Sequence, residues 1–353
     1  MTATAPTLVP TIAAHRFDEE ALRLWLSESV PDFAGPMTVR QFQGGQSNPT
    51  FLLETGARQL VLRKKPPGKL LPKAHNVERE YQVLAALGGT DVPVPRVMAL
   101  CEDADVIGTP FYVMEFMQGR LFDHPVMPDV TPDVRSHLHL SAVDALARLH
   151  RVDIDAVGLA DFGPRTGYVA RQVERWSKQY RSSLAAGELP ALTWLADWLR
   201  ERQDVPDETT IVHGDYRHGN LFFHHRDEKV AAILDWELST LGHPLSDLAY
   251  LCMPYHIQSG VPQSRGVSGL NLGELGIPSE EAVVQHYCEA TGRSGMGEWR
   301  VFMALSFFRL SAILHGVMAR ALQGNASNSD ALQVAKRSGV LAEIGQKIAR
   351  DEG

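Results

Sequence analysis

The segment that most constrains this chain covers residues 211–237, where two apolar runs flank a polar turn at residues 224–229. Runs rich in β-branched and aromatic residues on either side of such a turn predict a β-hairpin. Asp215 and Asn220 come just before the first strand of this hairpin, and Asp235 stands at the end of the second. The sequence therefore predicts two carboxylates and one amide grouped around a single hairpin.

This set of side chains suits phosphoryl transfer. A carboxylate can accept the proton of an attacking hydroxyl, while an amide oxygen and a second carboxylate hold the metal ions that neutralise the phosphates. The step of five residues from Asp215 to Asn220 matches the Asp-x-x-x-x-Asn spacing of the protein-kinase catalytic loop. A surface hairpin with incidental acids is the alternative. The agreement of two spacings and two strand contexts favours the catalytic interpretation.

Composition narrows the class of protein. The chain has 353 residues, which is enough for two domains or for two lobes around a cleft. The formal net charge of −8 argues against non-specific binding to nucleic acid.

Cysteine usage and hydropathy indicate a compartment. Cys101, Cys252 and Cys288 lack the spacing of a disulfide framework or a zinc site, which favours a reducing environment. The first ten residues lack the basic and apolar regions of a signal peptide. The most apolar segment, residues 301–322, is interrupted by charged residues and predicts a buried helix rather than a membrane span. We therefore expect a cytoplasmic protein that makes no use of a membrane.

The residues before the hairpin predict a part rich in strands. Apolar runs at residues 38–42, 51–54 and 60–63 predict three strands. The turn between the first two is Gly44-Gly45-Gln46-Ser47-Asn48. Glycine has no Cβ, so backbone amides in such a turn can approach phosphates closely. A plain hairpin turn is the alternative.

A cation at the end of the third strand is a candidate for holding phosphates. Because neighbouring residues of a strand face opposite ways, only one of Arg63 and Lys64 can face the ligand. Alignment of Leu-Val-Leu-Arg on the Val-Ala-Ile-Lys pattern of kinases favours Arg63, with Lys64 as the alternative. The helix predicted at residues 76–87 carries two acidic candidates for orienting this cation, and Glu80 is favoured over Glu78.

The predicted strand at residues 111–117 is the candidate hinge between two lobes. There an adenine base would meet the backbone carbonyl of Glu115 and the amide of Met117. An interior strand is the alternative. Beyond residue 118 helical periodicity dominates, with helices predicted at about 132–151, 169–184 and from 190 onward.

In this order the motifs resemble the aminoglycoside phosphotransferase and choline kinase superfamily, which has a protein-kinase-like fold. The most specific match is the pair His213-Gly214-Asp215 and Asp235-Trp236-Glu237, and the resemblance extends over about residues 36–325. The basic segment at residues 62–75 is most similar to the kinase-like domain that precedes some acyl-CoA dehydrogenases.

The resemblance implies an α+β, bilobal protein-kinase-like fold with an antiparallel-sheet N-lobe, one main N-lobe helix and a mostly helical C-lobe. We divide the chain accordingly into an N-terminal extension (1–35), an N-lobe (36–117) and a C-lobe (118–353). The resemblance also implies a role for each candidate residue and for Asp247, which would brace the catalytic segment. Asp215 would be the catalytic base, Asn220 and Asp235 would bind Mg²⁺, and Gly45, Ser47, Arg63, Glu80, Glu115 and Met117 would bind ATP.

The expected activity is that of an ATP- and Mg²⁺-dependent small-molecule kinase. Its partner would be a small-molecule hydroxyl acceptor, and the oligomeric state is left open, a homodimer included. A stripe of basic residues at Arg171, Arg175, Lys178 and Arg181 favours a neutral or anionic acceptor, such as a hydroxyacyl compound, over an aminoglycoside. A solvated basic face is the alternative explanation of the stripe. For the whole chain, the alternative is a catalytically silent, nucleotide-binding module that regulates a partner.

Overall fold

The computed structural model describes residues 7–43, 48–56, 58–68, 75–261, 264–322 and 336–351. Strands dominate the N-terminal third of the chain, and helices dominate the rest. The strands are β1 (Leu8–Val9), β2 (Met37–Phe42), β3 (Thr50–Thr55), β4 (Gln59–Lys64), β5 (Val97–Cys101), β6 (Phe111–Glu115), β7 (Arg120–Leu121), β8 (Thr210–Val212), β9 (Leu221–Phe223), β10 (Val230–Ile233) and β11 (Thr240–Gly242). The α-helices are α1 (Glu19–Ser29), α2 (Val77–Leu87), α3 (Ala104–Ile107), α4 (Pro132–His150), α5 (Tyr168–Ser182), α6 (Pro190–Arg200), α7 (Leu245–Cys252), α8 (Leu272–Leu275), α9 (Glu280–Thr291), α10 (Trp299–Leu322) and α11 (Arg337–Arg350).

The N-terminal part is a six-stranded antiparallel sheet in the order β1-β2-β3-β4-β6-β5. The three strands predicted from the apolar runs are β2, β3 and β4. The predicted hinge strand is β6, which ends at Glu115, two residues earlier than expected. Because β6 runs antiparallel beside β4, its hinge end at Glu115 pairs with Leu60 at the start of β4, and Arg63 near the end of β4 pairs with Tyr112.

Helix α1 packs onto this sheet. The Asp18 side chain caps the helix by accepting hydrogen bonds from the backbone amides of Glu20 and Ala21. Leu22 and Leu26 of α1 are fully buried in the hydrophobic core of the sheet. The described part of the N-terminal extension therefore rests on the N-lobe, and the boundary at residue 35 stays a prediction.

Helix α2 belongs to both parts of the molecule. Asn76 caps it through the amide of Arg79. Its apolar face, with Val83 and Leu87 fully buried, joins the large core formed by the C-terminal helices rather than the core around α1. The position of this helix is therefore set by the helical part.

Helix α10 is the central helix of the C-terminal part, packed against α5, α6, α7 and α11. It is long and apolar enough to cross a membrane by those two criteria, but 72% of its most apolar 18-residue window is buried inside the protein. Such burial is typical of a core helix and confirms the prediction for residues 301–322. The predicted α+β architecture, with an antiparallel N-terminal sheet and a helical remainder, is also confirmed.

The predicted hairpin is formed by β9 and β10, which pair in antiparallel fashion. Strand β7 adds to its edge by pairing with β9, a partner that the sequence did not predict. The first apolar residues of the segment, Ile211 and Val212, belong instead to β8, which pairs with β11. Asp215 therefore follows one small sheet and precedes another.

Candidate active site

A cleft of about 360 Å³ separates the strand-rich part from the helical part. This volume lies in the range of small-molecule and cofactor sites. Its walls combine apolar side chains from both parts with the polar groups predicted to act on ATP. Lining residues include Val61, Arg63, Met114, Glu115, Met117, Asn220, Ile233, Asp235 and Trp236.

Asp215 stands in a tight turn after β8. Gly214 precedes it with a φ of 85°, and a Cβ there would lie 2.6 Å from the carbonyl oxygen of Leu238, so the turn requires glycine. The buried carboxylate of Asp247 accepts hydrogen bonds from the amides of His213 and Gly214, at 2.6 and 2.8 Å. Against the effect of burial, hydrogen bonding from His150 lowers the pKa of Asp247. This ionised side chain fixes the backbone that presents Asp215.

The Asp215 carboxylate is oriented by its own loop. Asn220 Nδ2 donates to Asp215 Oδ2 at 2.7 Å and to the Asp215 carbonyl at 2.9 Å. Arg217 Nε lies 3.3 Å from the same carboxylate oxygen, and its Nη1 lies 3.2 Å from Asp123. A carboxylate held in this way can accept a proton from a hydroxyl group that reaches the cleft.

Asp235 follows β10 and turns back toward the cleft. Its backbone has a φ of 67°, a left-handed conformation that is unfavourable for a residue other than glycine and often marks functional sites. Its Oδ1 accepts a hydrogen bond from Arg63 Nη2 at 2.7 Å. The conformation places the carboxylate opposite the end of β4.

Arg63 and Glu80 form the upper wall of the site. Arg63 Nε lies 2.9 Å from Glu80 Oε2, so one guanidinium bridges Glu80 and Asp235.

Lys64 faces the other way, with its Nζ 4.9 Å from the centre of the Phe17 ring. Burial raises the pKa of Glu80 to about 7, against the opposing effect of the Arg63 charge. Strand alternation thus places Arg63, and not Lys64, in the cleft. Glu78, the other acidic candidate of α2, pairs with Lys65.

Two further side chains that the sequence did not single out hold Glu80. Asn48 Nδ2 donates to Glu80 Oε1 at 2.6 Å, and the Tyr112 hydroxyl donates to Glu80 Oε2 at 3.1 Å. Tyr112 lies directly opposite Arg63 in the β4–β6 register. Because opposed residues of antiparallel strands share a face, this register is the signal that could have revealed Tyr112. For Asn48 no sequence signal indicated this contact, because the residue was identified only as the last position of the glycine turn.

The remaining predicted nucleotide contacts divide into two groups. Glu115 and Met117 line the cleft at the end of β6, beside the apolar side chains of Val61 and Met114. Gly45 and Ser47 lie outside the described residues. A flat apolar ring system fits the first group, because this corner offers apolar walls and a backbone edge.

The donor set suits Mg²⁺. This ion is usually bound by one or two protein oxygens together with substrate phosphates, rather than by a protein cage. Asn220 and Asp235 both line the cleft, and Asp235 is about one-third exposed. Among the described residues no group of three or more His, Cys, Asp or Glu side chains could hold a metal ion alone. The residues present therefore fit a metal that arrives with a phosphorylated ligand.

Comparison with known proteins decides the family. Residues 38–300 match the model of the phosphotransferase enzyme family. The chain belongs to this family. The matched range contains the predicted hairpin, Arg63, Glu80 and Asp247. The enzymes of this family and the structurally similar proteins are small-molecule kinases. The predicted membership of the phosphotransferase family is therefore confirmed.

Two relatives resemble this phosphotransferase over nearly its whole length. A putative aminoglycoside phosphotransferase from Ralstonia eutropha JMP134 is 45% identical, with 95% of this chain and 99% of that chain covered and a TM-score of 0.86. Mouse acyl-CoA dehydrogenase family member 10 is 44% identical over 349 residues, which are 99% of this chain but 33% of the mouse protein. The phosphotransferase thus spans about a third of this curated relative.

A more distant structure confirms the fold. An aminoglycoside phosphotransferase in ternary complex with ADP and hygromycin B has a TM-score of 0.56 at 15% identity, with 92% of this chain and 98% of that chain covered. The bilobal, protein-kinase-like architecture implied by the motifs is therefore present.

The predicted basic stripe on α5 is only partly available to a ligand. Arg171 donates to the carbonyl oxygens of Pro164 and Leu241, and Arg181 pairs with Glu174 at 3.2 Å. Lys178 is exposed. Most of the stripe is thus a solvated face or supports a loop, and Arg175, which is also exposed, lies over the ring of Trp176.

Proposed function

We propose that this phosphotransferase transfers the γ-phosphate of ATP to a hydroxyl group of a small molecule in the presence of Mg²⁺. One observation carries the proposal. Arg63, Asn220 and Asp235 line a single cleft, although they come from distant parts of the sequence. Asn220 is hydrogen-bonded to Asp215, and Arg63 is ion-paired with both Glu80 and Asp235. Phosphoryl transfer depends mainly on positioning and on neutralising charge, and these groups can do both.

Each side chain has a distinct part in the proposed reaction. Asp215 accepts the proton of the acceptor hydroxyl, with its carboxylate oriented by Asn220 and Arg217. Arg63 binds phosphate oxygens while Glu80 fixes its direction. Asn220 and Asp235 would hold Mg²⁺, which when bound supplies positive charge to the phosphates.

The nucleotide contacts are proposed from the residues that line the cleft and from the family. Backbone groups of Glu115 and Met117 would bind the adenine ring, and the turn containing Gly45 and Ser47 would cover the phosphates. The ADP-bound relative supports a nucleotide in this cleft. Between ATP and GTP, we take ATP as the phosphate donor on the basis of the family resemblance.

For the acceptor we propose an alcohol that is neutral or anionic, such as a hydroxyacyl compound. Two observations support this choice over an aminoglycoside. The mouse relative carries the name of an acyl-CoA dehydrogenase. Cationic side chains also lie close to Asp215, among them Arg217, and a polycationic acceptor would be repelled there.

The proposal is tested by measuring ADP release over a panel of alcohols that includes hydroxy acids, sugars and aminoglycosides. At least one alcohol should stimulate ADP release by the wild-type enzyme well above the Asp215→Asn variant. This variant keeps the size of the side chain and the loop contacts but removes the base. If no alcohol stimulates turnover above the variant, the cleft belongs to a silent nucleotide-binding module.

A further inference from the structure

Two arginine side chains on neighbouring helices lie near the same ring with no carboxylate between them. Arg175 of α5 and Arg309 of α10 lie over Trp176, with guanidinium carbons 4.9 and 5.4 Å from a ring centre. Among the described residues neither arginine forms an ion pair. The Arg309 Nε is buried and has no hydrogen-bond partner. Burial and the charge of Arg309 lower the pKa of Arg175, as expected for two cations that are not neutralised.

This arginine pair is linked to Asp215 through Tyr250. The Arg309 guanidinium carbon is 5.3 Å from the centre of the Tyr250 ring. Burial and the neighbouring Asp215 carboxylate raise the pKa of the Tyr250 hydroxyl above its usual range. Tyr250 thus contacts Arg309 with its ring and Asp215 with its hydroxyl group.

The other cations of this region have partners. Arg217 and Arg265 share the carboxylate of Asp123, at 3.2 and 2.6 Å. Arg171 donates through Nη2 to two backbone carbonyl groups. Of these cations, Arg217 and Arg265 are paired with a carboxylate, whereas Arg175 and Arg309 form no ion pair among the described residues.

Stacking on aromatic rings explains only part of this arrangement. A guanidinium over an aromatic face is attracted by the electrons of the ring, and one such contact would account for Arg309 alone. It does not explain a second cation at the same ring, since two like charges repel each other. It also leaves the buried Nε without a partner, which is unfavourable unless a ligand supplies an acceptor.

We propose that Arg309 and Arg175 form a subsite for an oxyanion, a carboxylate or a phosphate, carried by the acceptor alcohol whose hydroxyl meets Asp215. A guanidinium matches both groups because its planar fork donates two parallel hydrogen bonds. The oxyanion would satisfy the Arg309 Nε and relieve the repulsion between the two cations. This inference rests on the proposed function, because it places the anion relative to the hydroxyl that is phosphorylated.

The test compares alcohols that differ only in the anion. Binding of glycerol and glycerol 3-phosphate, and of 1,3-butanediol and 3-hydroxybutyrate, is measured by isothermal titration calorimetry with Mg·ADP filling the nucleotide cleft. Wild-type enzyme should bind at least one anionic member about tenfold more tightly than its neutral partner. The phosphate pair and the carboxylate pair show which oxyanion the subsite accepts. Equal binding of the anionic and neutral members in both pairs would overturn the proposal.

Variants of helix α10 separate recognition from folding. Arg309→Gln should abolish the preference for the anion, Arg309→Lys should retain part of it, and both should bind Mg·ADP like the wild type. Arg320→Gln removes an exposed arginine from the same helix and should change nothing. If Arg309→Gln keeps the full preference, the subsite is elsewhere. Because the assay needs no turnover, its failure is independent of the Asp215→Asn experiment, which tests phosphoryl transfer itself.

Discussion

At the scale of single residues, Arg63 joins three functional elements of the cleft. Its Nε contacts Glu80 on α2, its Nη2 contacts Asp235 after β10, and its backbone belongs to β4. The two contacts leave from different atoms of one planar group. A lysine, with one nitrogen on a flexible stem, can take only one of these positions at a time.

We expect Arg63→Lys to raise the KM for ATP about tenfold, because one charged hydrogen bond of about 1.5 kcal/mol is lost. Steady-state kinetics with varied ATP measures the effect. Lys64→Arg, which changes the neighbouring cation on the opposite face of β4, is the matched control and should leave this KM unchanged. An equal effect of both substitutions would contradict the assigned facing.

A buried pair of histidines, His139 and His218, packs beneath the loop that carries Asp215 and Asn220. The Pro125 carbonyl can only accept, so Nε2 of His139 carries the hydrogen of their 2.9 Å contact, and its Nδ1 accepts from Nε2–H of His218 at 3.1 Å. Burial lowers the pKa of both histidines, which keeps both rings neutral. His218 lies in the short turn that ends at Asn220, so this pair positions the loop of Asp215.

The pair predicts a loss of stability in acid. Burial, assisted by the charge of Arg135, lowers the pKa of His139 from 6.5 to about 4. Between these two values the unfolded chain binds a proton more readily than the folded chain, so the free energy of unfolding decreases as the pH falls through this window. Urea denaturation at a series of pH values measures the slope. His139→Gln, which can make the same two hydrogen bonds without titrating, should show a shallower slope, and an unchanged slope would contradict the assignment.

At the scale of elements, helix α2 is tied to the helical part by Arg79. Its guanidinium carbon lies 3.6 Å from the centre of the Phe162 ring, and its Nη2 donates to the carbonyl oxygens of Phe162 and Ser239. The next residue is Glu80. The contacts of Arg79 therefore hold Glu80 in position to orient Arg63. The packing of the apolar face of α2 in the large core supports the same position of the helix.

Arg79→Gln should lower the free energy of unfolding by about 1–3 kcal/mol, since a cation–π contact and two hydrogen bonds are lost. It should also raise the KM for ATP, because Glu80 is less well held. Glu78→Gln, which removes the partly exposed ion pair with Lys65 on the same helix, should cost less than about 1 kcal/mol. A variant that loses stability without any change in KM would show that Arg79 has no part in positioning Glu80.

The sequence predicted those elements whose signals are local. Alternation placed Arg63 on the face opposite Lys64, helical spacing located the helix at residues 76–87, and the polar turn located the hairpin. Contacts between distant segments were not predictable, because no local pattern encodes them. Asn48 and Tyr112 on Glu80 belong to this class, as do Arg79 on Phe162, the β8–β11 pairing and the arginine pair around Trp176.

At the scale of the whole molecule, the cleft is assembled from both parts of the fold. The sheet supplies Arg63, the segments around the small sheets of the helical part supply Asp215, Asn220 and Asp235, and α2 packs in the large core while its Glu80 contacts Arg63 of the sheet. The proposed acceptor subsite is carried by α5 and α10, and no described residue of these helices lines the nucleotide cleft. The residues proposed for the chemistry and those proposed to bind the acceptor anion thus lie on different elements, and the variants proposed for each should act independently.

The central claim is that the Asp215 cleft forms a phosphate ester from ATP and an alcohol. Phosphorus-31 NMR of a reaction containing Mg·ATP and the alcohol that best stimulates ADP release tests it directly. A phosphomonoester resonance should grow with wild-type enzyme at the rate of ADP formation. It should be absent when Mg²⁺ is chelated and at least about a hundredfold slower with Asp215→Asn, which lacks the general base. Formation of inorganic phosphate alone, or of the ester at the same rate by the variant, would contradict the claim.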